Sequence, residues 1–473
     1  MAGLFSTLQA TNTALNAQTT AINVTSNNIA NINNPNYSEE TVDYTDLPMV
    51  PTAEGEQSTG ITVSVSQQRS AILDQMVREE ASLTGGYGQQ QSLLQQAQAA
   101  LGDSISDSAT ASTSSSSTTT TESGLSAALD SFFNAWQGYA ANPTSPAEAG
   151  ALVQQAQVLT DRFQQIDSNL AQVQTNADTS AGNDVGTANT LLQQVASLNT
   201  QILSVDAASP GSALQLQDQR EGDLEQLAGL MPVTVTPEAN GEVSLSAATA
   251  AGGTAALVTN GTVEGTLSYA SGTVSVGSTA LSLSSGSIDG SITASTGPVQ
   301  TLRTQLDALA NQLVTSVNAA YNPTSTTGGN FFDASGLTAG TISLDPSLTT
   351  STVTAGTGAA GDNTLALAVA GVANQQFSTS GGDQITGTLT SAYAYAASGI
   401  GQALDTATTQ NDDQTNVQTI VENQRQSASG VSLDQEMSNL MTYQRSYQAA
   451  SEVFQVVDDL LDQVVNDLTA ITS

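Results

Sequence analysis

Histidine, cysteine and lysine are all absent from this 473-residue chain. Without His or Cys there are no ligands for an ordinary zinc site, no thiol nucleophile, no disulfide, and no base for a Ser-His-Asp triad. Most hydrolase chemistry is thereby excluded, and a chain without Cys suits a protein that stays unfolded for a time without cross-linking. Basic charge is nearly missing too: 7 Lys+Arg, every one an Arg, stand against 43 Asp+Glu, for a net charge of −36. Such a surface repels phosphate backbones and anionic lipid, so neither nucleic acid nor membrane is expected as a partner. Aromatics make up 4% of residues with a single Trp, Trp136, which offers little for the aromatic platforms of a glycan-binding adhesin or glycosidase. The first Arg is Arg69, and no basic n-region followed by a continuous apolar stretch opens the chain, so no Sec-type signal peptide is expected. No apolar run reaches membrane-spanning length.

What is present is helical rhythm at both ends and β texture in the middle, in a chain long enough for two to four domains. Leu8, Leu15, Ile22 and Ile29 recur at a seven-residue interval, flanked by Ala10, Ala14, Ala17, Ala21 and Val24. At the other end Leu433, Leu440, Tyr447, Phe454, Leu461 and Leu468 repeat the interval, with Tyr443, Ala450, Val457 and Val464 three positions further on. A narrow stripe of this kind asks for a partner helix, although either end taken alone fits an ordinary amphipathic core helix equally well. Residues 68–101 and 124–204 also read as helices, divided by the Ser/Thr run 106–123, which is too poor in apolar residues to build a core. From Met231 to Gly297 short alternating strands separated by Gly, Asn and Ser predict an inserted β domain. Helical rhythm resumes at Val299 and, past a Gly/Thr-rich stretch reaching about residue 387, again to the end.

Motifs for chemistry are scarce. Adjacent acids occur at Glu39–Glu40, Glu79–Glu80, Asp412–Asp413 and Asp458–Asp459, but neighbours on a helix point to different faces and such pairs are usually solvated. "GSIDG" at Gly286–Gly290 has its Ser misplaced for a nucleophile elbow, and no His exists to activate it. "GIG" at Gly399–Gly401 lacks the third Gly of a dinucleotide loop. No catalytic residue, cofactor site or metal site is expected, and the chain is not read as an enzyme.

One stretch stands out. "NNIANINNPNYS", Asn27 to Ser38, holds six asparagines directly after the first heptad helix. Asn bonds to nearby backbone and tolerates the left-handed conformation, so it suits a helix end and a tight turn, while Pro35 stops the helix. The run with its flanks, "SNNIANINNPNYSEETVDY", resembles the N-terminal motif of the bacterial flagellar axial proteins, the rod, hook and hook-associated proteins. Asn34 stands where Thr is common and Asn36 where Gly is common. "SGVSLDQEMSNLMTYQRSYQAASEVFQVVDDLLDQVVNDL" is similar to the opposite end of the same family. Interior segments such as "LSAALDSFFNAWQGYAANPTSPAEAG", "LQLQDQREGDLEQL" and "AAGDNTLALAVAGVANQQF" resemble members of the junction between hook and filament, and are not usual in hook or rod proteins.

The resemblance implies a mostly α fold with an inserted β domain, in an elongated multidomain architecture whose N- and C-terminal helices pair as a coiled coil. Residues 1–34 and 430–473 would form the axial core, 35–230 and 298–429 a mainly helical middle domain, and 231–297 a β-rich outer domain. It implies a structural adaptor at the hook–filament junction, exported by the flagellar type III apparatus and located outside the cell. The implied partners are further copies of the chain in a ring or helical layer, the hook protein, a second junction protein (hook-associated protein 3), and a cytoplasmic export chaperone on the C-terminal helix. Another hook or rod protein, or an acidic extracellular adhesin, are the alternatives. Within the motif, Asn27, Asn28, Asn31, Asn34, Pro35, Asn36 and Tyr37 are expected to form a hinge, with Asn36 left-handed and Tyr37 packed against the helical domain.

Overall fold

A computed structural model describes residues 2–46, 50–52, 55–57, 60–102, 124–208, 211–325, 329–358 and 361–471. The Ser/Thr run 106–123 lies outside them. The chain opens with helix α1 (Ala2–Ala30) and then forms strands β1 (Glu40–Asp46), β2 (Val50–Thr52), β3 (Gly55–Gln57) and β4 (Ile61–Gln67). β1 and β4 pair antiparallel from Glu40↔Gln67 to Asp46↔Ile61, and β2 pairs with β3. These strands fall in a range expected to be mainly helical. Their cause is visible in "ITVSVSQ", whose β-branched residues alternate with Ser and whose burial alternates with them.

Helices α2 (Ala71–Ala100), α3 (Leu125–Ala141), α4 (Pro146–Ala208) and α5 (Leu214–Leu230) follow. At 63 residues, α4 is about 95 Å long at 1.5 Å per residue. Its first half, through Ala177, belongs to one apolar core, and its second half, from Ala181, to another. The first core is centred on Phe132, Trp136, Phe331 and Phe332, all fully buried, with Trp136 and Phe331 ring centroids 5.0 Å apart. A Trp so enclosed offers no platform to a sugar ring.

The second core joins α4 and α5 to two small antiparallel sheets. One has four strands in sequential order, β5 (Thr234–Pro237), β6 (Val243–Ala248), β7 (Thr254–Thr259) and β8 (Thr262–Val263). The other is the meander β9 (Leu267–Ala270), β10 (Thr273–Val276) and β11 (Thr279–Ala280). Asn260–Gly261 and Ser271–Gly272 all have positive φ, the backbone of the tight hairpin turns that match strand twist. Leu245, Leu257, Leu267 and Val274 point down onto Leu192 and Val195 of α4 and Leu224 and Leu227 of α5, so the strands bury their apolar face on helices.

The strands stop earlier than the expected limit at residue 297. Helix α6 (Gly286–Ala294) and a π-helical turn containing Pro298 (Ser295–Val299) lead straight into α7 (Gln300–Tyr321). Ile288, Ile292 and Val299 recur at helical spacing there, a period hidden by the surrounding Ser, Thr and Gly. The glycines of "GSIDG" serve close packing: a Cβ on Gly290 would sit 2.3 Å from the carbonyl oxygen of Gly86 on α2, and one on Gly286 (φ +87°) 2.3 Å from that of Leu230. Ser287 donates to Asp184 at 2.6 Å and is committed to the fold. The chain ends with α8 (Thr364–Val372), α9 (Leu389–Ser429), which packs along α2 and opens on a capping box at Thr388 and Ser391, and α10 (Leu433–Ile471), which packs along α1. None of the described helices is long and apolar enough to cross a membrane.

Because Gly290 meets backbone, Gly290→Ala is expected to cost about 1–3 kcal/mol of stability in urea denaturation. Gly182→Ala on α4, where no atom lies within 4 Å of the added Cβ, is expected to be neutral or to add up to about 1 kcal/mol.

Candidate functional site

The asparagine run is the joint between α1 and the body. Asn31 closes the helix, its backbone N–H and its Nδ2 both donating to the carbonyl of Asn27 at 3.0 Å. Asn34 to Tyr37 then form a turn: Tyr37 N donates to Asn34 O at 3.2 Å, and Asn36 N to Asn34 Oδ1 at 3.2 Å. Asn36 is not among the residues with positive φ, which corrects the expectation of a left-handed residue. With Pro35 in its second position the turn is of the type that keeps φ negative throughout. Asn36 instead lies against α5, its Nδ2 2.6 Å from where a Cβ on Gly222 would stand.

Asn28 is the pivot. It is 1% exposed, and its Oδ1 accepts from the Tyr37 hydroxyl at 2.7 Å and from Glu40 N at 3.0 Å, while its Nδ2 donates to Glu40 O at 2.9 Å. One side chain therefore ties the last turns of α1 to the turn and to the first residue of β1. Tyr37 is buried as well, and burial, then Glu40, hold its hydroxyl protonated far above the usual range. Asn27 is half-buried, and Asn34 and Pro35 are exposed.

On α10 most covered positions lie on the sequence stripe, whereas on α1 the buried positions lie beside it. On α1 the buried positions are Thr11, Ala17, Ala21, Val24, Thr25 and Asn28, whereas Leu8, Leu15, Ile22 and Ile29 are only half-covered. On α10, Glu436 and Val457 are buried; Leu440, Tyr443, Ala450, Phe454, Leu461 and Val464 are half-covered; Leu433 and Tyr447 are exposed. The side chain of Leu468 lies outside the described set. The buried flank of α1 ends at Asn28, which bonds to Glu40 of β1, and α1 packs against β1 and β4 as well as α10. A further strip of α10, including Val456 (58% exposed) and Leu460 (44% exposed), is uncovered by any described residue.

Beside the joint lies a buried network of charges. Arg69 Nε is 2.9 Å from Asp74 Oδ2, and Arg69 Nη1 is 3.6 Å from Asp218 Oδ1. Arg78 pairs with Glu221 and Arg425 with Glu225, while Arg425 Nη1 is 3.9 Å from Asp74 and its Nη2 donates to Pro35 O at 3.3 Å. Gln67 donates to Asp218 Oδ2 at 3.0 Å, and Glu39 N to Ser429 O at 2.8 Å. α2, α5, α9 and the turn are thus bound together where both terminal helices leave the body. Burial pushes the Asp218 carboxyl up to about 7, Glu40 adding to the shift, with Arg69, the Ser38 backbone and Gln67 pulling the other way. Burial likewise raises Asp74 against the pull of Arg69, and Glu225 against Arg425. Glu39 is raised by burial and by the neighbouring Glu436 of α10. The sequence reading missed this network, although the rarity of Arg was its signal: with so few cations, each one spent inside marks a joint.

Among the described residues no three or more carboxylates gather as a metal site. The adjacent acids serve structure or solvent: Glu40 sits under Asn28, Glu79 accepts from Gln75, Glu80 from Gln414, and Asp458 and Asp459 are exposed.

The family model described as the flagellar hook-associated protein FlgK helical domain matches residues 111–332. A second, the C-terminal region of flagellar basal body rod FlgEFG proteins, matches residues 422–468. Flagellar hook-associated protein 1 of Bacillus subtilis is 28% identical over 99% of both chains. Along its whole length the chain is similar to flagellar hook-associated protein 1. The namesake protein of Salmonella typhimurium is 27% identical over 50% of this chain and 40% of its own length. The solved flagellar hook junction protein FlgK of Burkholderia pseudomallei aligns at a TM-score of 0.45 with 21% identity, over 55% of this chain and 46% of that one. The helical-domain match spans α3 to α7 with both small sheets, and the rod-protein match takes in Arg425 and nearly all of α10.

Two outcomes are expected. Asn28→Ala strands the Tyr37 hydroxyl and both backbone groups of Glu40, costing about 3 kcal/mol or more in urea unfolding, against about 1 kcal/mol for Tyr37→Phe. Asp218 binds its proton more tightly folded than unfolded, so stability falls as pH rises from the ordinary Asp range through about 7, at up to ~1.4 kcal/mol per pH unit. Asp218→Asn flattens that slope, as melting curves between pH 4 and pH 8 will register.

Proposed function

We propose that the chain is the structural adaptor between the flagellar hook and the filament, located outside the cell and working by assembly alone. The observation that carries this reading is the likeness along 99% of both chains to a protein named flagellar hook-associated protein 1. The helical-domain match separates it from a hook or rod protein, which shares only the ends.

In this reading α1 and α10, residues 1–34 and 430–473, pair as a coiled coil and join those of neighbouring copies in an axial core. The mainly helical middle (35–230 and 298–429) forms the next shell, and the β-rich part (231–297) faces outward. Leu8, Leu15, Ile22, Ile29, Leu433, Leu440, Tyr447, Phe454, Leu461 and Leu468 are its assembly positions. What supports these roles is the packing of α1 along α10 together with the incomplete cover of the larger side chains at their rim. Asn34-Pro35-Asn36-Tyr37 redirects the chain from core to shell, with Asn28 holding the angle. Further copies of the chain in a ring or helical layer, the hook protein and hook-associated protein 3 are the contacts, and an export chaperone covers α10 before secretion.

Cells lacking the protein are expected to carry hooks without filaments in electron micrographs; normal filaments on such cells would defeat the proposal. Val457→Asp and Phe454→Asp place a charge on the seam, at a cost on the order of several kcal/mol where burial is complete. Both are expected to permit secretion and to prevent filament attachment, and wild-type attachment in both would remove α10 from the assembly surface.

A further inference from the structure

Helices α9 and α10 are joined by the short link Gly430-Val431-Ser432, closed at its ends by Gly430 N donating to Gln426 O at 2.8 Å and Glu436 N to Ser432 O at 2.9 Å. Gly430 has no room for a side chain: a Cβ there would lie 2.3 Å from the Gln426 carbonyl oxygen. The joint grips one side of this link through Glu39 N, which donates to Ser429 O at 2.8 Å. Past the link α10 returns to the same place, where Glu436, 2% exposed, is the neighbour of the half-buried Glu39. Among the described residues neither carboxyl is in an ion pair, and α1, which packs along α10, has no charged residue from Ala2 to Ala30. Around Tyr37 the same corner holds Glu40 of β1 and Asp218 of α5, and α10 adds Tyr443 and Asn439, whose Nδ2 is 3.4 Å from Glu436 Oε1. The cations of the joint, Arg69 and Arg425, are taken by Asp74, Asp218 and Glu225.

We propose that Glu39 and Glu436 form a proton-operated latch on the α9–α10 hinge, which holds α10 against the joint while the pair carries a proton and frees its first turns when both carboxyls ionise. Two neighbouring carboxyls shielded from water cannot both ionise without strong repulsion, whereas a single proton turns one of them into a donor for the other. Here the two come from opposite sides of a hinge, so the repulsion acts on the hinge angle. Burial first, and then Glu436, raise Glu39 above the ordinary Glu range. A group raised by folding contributes its full stabilisation below the unfolded value and loses it as pH rises through the folded one. The latch is therefore set in mild acid and released toward neutral pH. What it controls is the direction in which α10 leaves the body, since the backbone bond of Glu39 to Ser429 fixes the α9 side independently of charge.

The test uses the purified full-length chain and no filament, so it stands or falls apart from the adaptor reading. Because the chain has no Cys, the exposed Ser64 of β4 and Ser438 of α10 can be replaced (Ser64→Cys and Ser438→Cys), spin-labelled, and their separation read by double electron–electron resonance at about pH 4.5 and about pH 8. The distance distribution is expected to be narrow at the lower pH and to broaden and shift at the higher. With Glu436→Gln, and separately with Glu39→Gln, it is expected to stay narrow at both, because one neutral amide removes the repulsion. Asp218→Asn, which alters the Arg network on the other side of Tyr37, is expected to leave the broadening in place. A distribution that does not change with pH in the otherwise natural chain would overturn the latch. So would broadening that survives in both Gln variants, or that Asp218→Asn alone abolishes.

Discussion

The side chain of Asn28 sits between a helix and a strand and answers both with a single carboxamide. Its oxygen takes two donors and its nitrogen one acceptor, so the group is buried at little cost while the geometry it accepts is narrow. Where α1 ends, where the turn points and where β1 starts are therefore one decision. The β1–β4 ribbon packs back on α1, and α10 also packs along α1. Loss of the pivot would leave the terminal pair without a defined angle to the body.

Charge supplies the second constraint. In a chain so acidic, cations are the scarce component, and the structure draws Arg69, Arg78 and Arg425 into one buried network at that same joint. Each spans elements that are far apart in sequence, which a surface ion pair between close neighbours on a helix would not do. Buried ion pairs contribute little net stability compared with apolar packing, but removing one partner strands a charge. The network therefore specifies which elements meet. Burial raises Asp74, Asp218 and Glu225 within it, so their contribution to stability falls as pH rises, the opposite of the usual behaviour of salt-bridged carboxylates.

Periodicity revealed the two terminal helices, the long middle helices and the β texture, because apolar spacing records which face is buried. It marked most of the covered face of α10 but not the most buried positions of α1. On α1 the stripe marks the larger apolar residues, which are half-covered, while Ala17, Ala21 and Val24 beside it are buried. Asn36 was misread for a related reason: tolerance of positive φ is a capacity, and a turn with Pro in second position does not use it. Helix α6 was hidden by Ser, Thr and Gly, which blur its period, while strands β1 to β4 are short and lie between helices, although β4 alternates cleanly. The Arg network was invisible because its members are joined through tertiary structure alone, Arg425 lying 390 residues from Pro35.

Helix α4 runs without a break through both apolar cores, and Gly182 and Gly186 lie just past the crossover between them, with no atom within 4 Å of where a side chain would begin. A helical strut resists bending in proportion to how firmly its turns are held, and glycine weakens its own turn by roughly 1 kcal/mol relative to alanine. The strut is thus clamped at both ends and softest near its middle. Mechanically that is a flexure: a lateral load on the sheet-bearing end is taken up as curvature over a few turns, while each clamped core keeps its internal packing.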